Sequence, residues 1–503
     1  MNGSQRIRRT WLYAGYVLVA ALVCMALGVL AARITAAQLL SDAQRQLARV
    51  AANQPLWQWS LRKPHDLIAG RAFGQAKVSA DDDGLTITSI DGTPFELGLP
   101  IAWSLDLAHW PILQIQLQRG GSGVLGLVWQ GMNGAPACLA PVASTHNSDT
   151  QTLRIDLRGL VWHTANGGAC PTPGVARMLR LRVQIPSNAT LRLRSVSLVT
   201  TEPMSQPQNA FIDLPEHATN DEFERIIAPA QTWPMPIFRL PAGIDAEKML
   251  ALRDQLRERW PAALIVPAGV TPQPATNVSG TALAWVAGII YLLALIWLVL
   301  KPVKGRLRPW LEILGCVLGP LWLIAGLHWG LYPTPLGVVA FGGGLVFAVV
   351  IERHHLPRLW RWPTTGRDWL WPLAPVPIAL LLITLYGHAP RSLPLAHVAA
   401  YVGWAWLQQW LMLVVLMRRF ELALRQPGLA VLAVATVFGL LHTPNGMLMQ
   451  WCFLGELWWA WCFQRSRSVL PIGLAHAACA LLVEAGLIGG LVRSLEVSAR
   501  FFF

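Results

Sequence analysis

Three polar positions interrupt apolar sequence between Trp404 and Glu484: the pair Gln408-Gln409, His442 at the end of Phe438-Gly-Leu-Leu-His442, and His476. Imidazole gives or takes a proton near neutral pH, and a glutamine amide hydrogen-bonds through both its ends. Each position lies in a stretch long enough to cross a bilayer, where an ionisable side chain needs a partner or a cavity and marks function by default. Two acids share that depth, Glu456 and Glu484. Glu484 follows His476 by eight residues, about 80° round a helix and roughly 12 Å along it. A carboxylate beside a histidine can activate water for hydrolysis, so either acid could serve as a general base. Two histidines and a carboxylate also make a zinc-like set. No His-Glu-x-x-His helix is present, so neither a metal nor another cofactor is expected. The plainer alternative is structural: these groups, with Gln450, satisfy one another and tie helices together.

The elements that must hold these residues are membrane helices. Of 503 residues 54% are hydrophobic and 13% charged, too apolar for an ordinary soluble chain. Apolar spans fall at 11–32 and at about 281–300, 309–331, 334–351, 369–387, 395–417, 429–446, 447–463 and 469–491. Each is near the ~20 residues that cross the hydrocarbon. The net charge of +13 sits beside these spans, as topology signals do. No basic patch interleaved with aromatics stands on a polar face, so no nucleic acid is expected as a partner.

Arg6, Arg8 and Arg9 precede the first span, which reads as an uncleaved signal anchor with its N-terminus cytoplasmic. On that orientation the inner loops are 301–308, 352–367, 418–425 and 464–467, and these are the basic ones. The expected location is a bacterial inner membrane, crossed about nine times, with the soluble part in the periplasm or outside the cell.

Residues 34–232 read as a stalk and a mainly-β domain. Thr35 to Ala52 has helical spacing, then short alternating runs follow at Leu85–Ile90, Ile112–Leu117, Val124–Gln130, Leu153–Leu157, Leu179–Ile185 and Leu191–Leu198. Period two with Gly, Asn, Asp and Pro between the runs predicts antiparallel strands in a sandwich. Their order resembles a jelly roll of the galactose-binding or carbohydrate-binding-module type, and a glycan or peptide is expected as its partner. Trp103, Trp110, Trp129 and Trp162 are expected in the core or at its rim. Cys138 and Cys170 are the two cysteines of this region, and a disulfide between them fits an extracytoplasmic compartment. Residues 200–232 look like a linker, and 233–280 like a small strand-helix-strand appendage and a second linker.

The predicted organisation is therefore a multi-domain membrane protein. Residues 1–33 carry the anchor, 281–394 four helices, 395–491 the polar core and 492–503 a tail outside or along the interface. The mainly-β domain is inserted between the first and second membrane helices of an all-α bundle.

From Gln408 onward the chain resembles the CPBP family, the CAAX proteases and bacteriocin-processing (Abi-type) enzymes. That resemblance implies a first helix with Glu-Glu-x-x-x-Arg, a second with Phe-x-x-x-His and a third with His-x-x-x-Asn or Asp. Phe438 to His442 matches the second, Thr443-Pro444-Asn445 resembles its continuation, and His476 falls at the third. Gln408-Gln409 stands at the paired glutamates, Leu413 at the arginine and Ala480 at the Asn/Asp position. Glu421-x-x-x-Arg425 has the first motif's spacing but lies too close to His442 and reads as chance. In the family the glutamate is the general base. A glutamine cannot accept a proton usefully. Loss of such a base costs about 10²–10⁴-fold, and loss of an oxyanion donor about 10²–10³ more. The resemblance thus implies an intramembrane peptidase homologue of weak or absent activity, acting on a transmembrane peptide or lipid-linked substrate. Its implied site residues are His442, His476, Gln408, Gln409 and Asn445, with Glu456 and Glu484 as relocated acids. The alternative is a pseudoprotease that binds or scaffolds in envelope assembly.

Overall fold

The computed structural model describes residues 3–119, 123–132, 134–142, 151–201, 211–217, 220–274, 281–301, 303–327, 334–353 and 361–502. Parts of the expected linkers and of the 352–367 loop fall outside these residues. The chain divides into two compact units: 1–35, 245–249 and 278–503, and 36–244 with 250–277.

One helix, α1 (Gly3–Ala51), joins the first apolar run to the stalk without a break. The mainly-β unit follows from period-two burial. β1 (Trp57–Ser60), β2 (Ala76–Asp81), β3 (Gly84–Ser89), β6 (Ile112–Arg119), β9 (Gln151–Asp156) and β12 (Thr190–Val199) form one antiparallel sheet. Its order is β2-β3-β12-β6-β9, with β1 also on β12. β4 (Phe95–Gly98), β5 (Leu105–Asp106), β7 (Val124–Gly131), β8 (Cys138–Val142), β10 (His163–Thr164) and β11 (Val175–Gln184) form the other, in the order β10-β8-β7-β11-β4, with β5 on β11. The β12/β6 register slips between Leu193 and Ser195. That bulge resets the pleat, so buried Leu191 and Leu193 are followed by buried Val196 and Leu198. Trp110, Trp129 and Trp162 are buried, and Trp103 is half-exposed beneath the Arg257 guanidinium. Cys138 and Cys170 are bonded, Sγ to Sγ 2.05 Å.

The appendage is larger than its sequence suggests. β14 (Ile237–Arg239), α3 (Ala246–Arg259) and β15 (Leu264–Val266) make the expected strand-helix-strand. A third parallel strand, β13 (Phe211–Asp213), joins β14, and α2 (Asn220–Ile227) follows it in the same segment. Residues 200–232 are therefore not only a linker. Three-residue strands are too short to show a period.

The second unit is helical: α4 (Thr281–Leu300), α5 (Arg308–Leu321), α6 (Pro335–Glu352), α7 (Gly366–Leu370), α8 (Pro375–Tyr386), α9 (Leu395–Gln409), α10 (Met417–Leu424), α11 (Pro427–Leu440), α12 (Gly446–Ser466) and α13 (Leu470–Gly486). Among the described residues six helical stretches are long and apolar enough to cross a membrane, and α11 and α13 are shorter and apolar. A π-helical segment, Trp410–Leu416, carries α9 into α10. The 418–425 segment, expected as a basic inner loop, is thus mostly helix. Arg419 is buried there, with Nε 2.8 Å from Glu312 and Nη1 2.9 Å from Glu352. α11 and α12 meet closely at Gly439, where a Cβ would lie 2.9 Å from the Met449 carbonyl oxygen. The tail packs onto the helical unit. Ser498 donates its N–H to the Thr443 carbonyl (2.8 Å) and its hydroxyl to that of Ile324 (2.6 Å), and Phe501 and Phe502 are buried.

Candidate functional site: a histidine-lined cavity

α11 ends just before His442, and the ring turns back along its own helix. Nδ1 lies 2.7 Å from the Phe438 carbonyl oxygen. That oxygen can only accept, so Nδ1 carries the proton and Nε2 of the neutral ring keeps a lone pair. His476, inside α13, is held the other way. Its Nδ1 is 3.3 Å from Nε2 of Gln409, and the same amide nitrogen is 2.9 Å from Oε2 of Glu456. An amide nitrogen has two hydrogens, one for each acceptor. His476 Nδ1 therefore accepts and its proton sits on Nε2. The ring also hydrogen-bonds to the Ala405 carbonyl. The two imidazoles thus sit in opposite tautomers, His442 able to take a proton and His476 already engaged on both sides.

Phe438 separates them. Its ring stands edge-on to both, with centroids 4.8 Å from His442 and 5.5 Å from His476. The Phe-x-x-x-His spacing puts Phe438 one helical turn below His442, which allows both the carbonyl bond and the ring contact. Trp459 covers the other side of His476 at 5.1 Å.

Glu456 and Gln409 are both fully buried. Glu456 Oε1 and Gln409 Oε1 have no hydrogen-bond partner among the described residues. Gln408, the other half of the pair, lines the cavity instead. Glu484 does not meet His476, although the helix places them on adjacent faces. Its carboxylate binds Nε2 of His397 at 3.0 Å, and the His397 ring lies near Tyr401. His397 went unnoticed in the sequence. A histidine two residues into an apolar span is the same signal that singled out His442. Asn445 is a structural group. It caps α12 by accepting from the Leu448 N–H (3.1 Å) and donates to the carbonyls of Ser494 (2.7 Å) and Glu496 (3.2 Å). Glu421 pairs with Arg467 at 2.9 Å.

His442, His476, Gln408, His397, Tyr401 and Glu484 all line one cavity of about 530 Å³, whose remaining wall is mainly apolar and aromatic, with Phe341, Trp404, Phe438 and Trp451. Ala480 lines it where the family motif has Asn or Asp, and Leu413 is buried. Among the described residues no three His, Cys, Asp or Glu side chains come together as a metal site. The arrangement offers one imidazole whose Nε2 is open to the cavity, one imidazole–carboxylate pair and an apolar wall of the size usual for small-ligand sites.

Six helical stretches long and apolar enough to cross a membrane, among the described residues, make this the helical unit of a multi-pass membrane protein. Residues 390–482 match the family described as Rce1-like, Type II CAAX prenyl endopeptidase Rce1-like. The C-terminal region thus resembles the CPBP type over these residues. A comparison with curated proteins finds no match. Solved structures that align include the family 11 carbohydrate-binding module of the cellulosomal cellulase Lic26A-Cel5E of Clostridium thermocellum, at 10% identity over 26% of this chain and 86% of that one, with a TM-score of 0.21. The Clostridium thermocellum family 11 module in complex with a β-1,3-1,4-mixed-linked tetrasaccharide aligns at 12% identity over 26% and 89%, TM-score 0.19. The Agl-KA catalytic domain aligns at 13% identity over 38% and 36%, TM-score 0.16. Scores this low carry no argument about the fold or the ligand.

Proposed function

We propose that the Rce1-like region is an intramembrane protease homologue that holds an apolar chain in its cavity without ordinary hydrolysis. The observation that carries this reading is the Gln409 amide. It stands at the family's carboxylate position and spends both N–H groups on Glu456 and His476. No carboxylate hydrogen-bonds either His442 or His476 among the described residues, so the glutamate-activated water of the family has no counterpart. The occupant fitting the cavity is a stretch of transmembrane peptide or the chain of a lipid-linked molecule, with a polar group that donates to His442 Nε2. The protein is read as lying in a bacterial inner membrane with its N-terminus cytoplasmic and its β-rich unit outside. That unit, of jelly-roll-like strand pattern, would engage a peptide or glycan in envelope assembly.

A transmembrane peptide bearing a photoreactive diazirine tests the binding. Cross-linking to residues around His442 is expected in wild type, and cross-linking lost when Phe438→Trp fills the cavity. Uniform labelling of every lipid-facing helix would overturn the reading.

One observation favours a second reading. The His397–Glu484 pair faces the same cavity and could orient a relocated base. Hydrolysis abolished by Glu484→Gln and by His397→Gln would establish it.

A further inference from the structure

A second recess lies apart from the histidine cavity, where α7 and the turn after it meet the end of α12. Trp458 donates its indole N–H to the Trp371 carbonyl (2.7 Å), and Trp459 donates to that of Pro372 (3.1 Å). The rings of Trp371, Trp458 and Trp461 gather with centroids 4.9 to 5.6 Å apart. Beside them opens a recess of about 420 Å³ whose lining includes Arg367, Asp368, Trp461 and Arg465. The Arg465 guanidinium carbon lies 3.4 Å from the centre of the Trp461 ring. Asp368 turns its carboxylate onto the backbone N–H groups of Thr364 (3.1 Å) and Thr365 (3.0 Å). Neither Arg367 nor Arg465 has a carboxylate partner among the described residues. Two arginines and one aspartate leave the lining one positive charge in excess. At the edge, Leu370 and Trp371 are 69% and 47% exposed, on a stretch, Gly366–Tyr386, apolar enough to span a membrane.

We propose that this recess binds the phosphodiester headgroup of an anionic phospholipid, with the acyl chains along the exposed side of α7 and α8. A phosphodiester carries one negative charge, matching the excess. Stacking on Trp461 holds the Arg465 plane in place and leaves its in-plane N–H groups for phosphate oxygens. Basic pockets between membrane helices take acidic headgroups in this way, and tryptophans seat at headgroup level. The exposed apolar edge favours a lipid over a free anion.

The test is native mass spectrometry of the full chain in detergent, titrated with phosphatidylglycerol and, separately, with phosphatidylcholine of the same acyl chains. Phosphatidylglycerol is expected to bind more tightly, and Arg465→Gln and Arg367→Gln each to weaken it about fivefold. Arg391→Gln, an exposed arginine elsewhere in the chain, should leave it unchanged. Equal binding of the two lipids, or variants that bind like wild type, would overturn the proposal. So would displacement of phosphatidylglycerol by equimolar inorganic phosphate, which would mark a site for free anions. Size exclusion of each variant checks that a loss is not unfolding.

Discussion

At the scale of single residues the site turns on Gln409. Its amide satisfies a buried acid and a buried imidazole at once. Gln409→Ala leaves both without that donor, and a buried polar group left unpaired costs about 1–3 kcal/mol. The midpoint of thermal unfolding in detergent should fall accordingly, while Gln408→Ala, at the cavity wall, should change it little. The sequence identified the glutamine pair, both histidines and both acids, because polar groups in apolar spans stand out. It could not assign partners. In sequence Glu484 could meet either His442 or His476, whereas its partner His397 lies 87 residues away. In the β-rich unit, the Asp106 carboxylate accepts from His109 Nδ1 at 2.7 Å and raises that histidine above its ordinary value of 6.5. A raised folded value means stability that is complete below 6.5 and is lost as pH rises through the folded value. Hydrogen exchange of the β5–β11 pairing should therefore differ between wild type and His109→Gln below 6.5 and converge once pH has risen past the raised folded value.

At the scale of elements, α10 is tied to α5 and α6 through charge. Arg419, 5% exposed, meets Glu312 and Glu352, and Arg418 adds a bond to Glu352 at 3.2 Å. Removing one member of a buried set leaves uncompensated charge and costs about 3–5 kcal/mol. Arg419→Ala should lower the unfolding midpoint far more than Arg425→Ala, an arginine for which no ion pair is seen among the described residues. The basic run 418–425 reads in sequence as a topology signal, since Lys and Arg gather at membrane edges. Its carboxylate partners are 67 and 107 residues away, beyond any local pattern. The long apolar helices and the strands β3, β6, β7, β11 and β12 were legible because 20-residue apolar runs and period-two alternation are strong local signals. β13 was not, since three residues in a Pro-containing segment carry no period.

At the scale of the whole molecule, the chain joins a β-rich unit to a multi-pass helical unit whose C-terminal region is of the Rce1-like type. We propose that this region holds its cavity without a carboxylate base at the histidines. Turnover tests that claim most directly. Purified full-length protein would be incubated with a panel of transmembrane and prenylated peptides beside His442→Ala, and new termini counted by mass spectrometry. No cleavage above the His442→Ala background is expected. Cleavage by wild type that disappears in His442→Ala would contradict it.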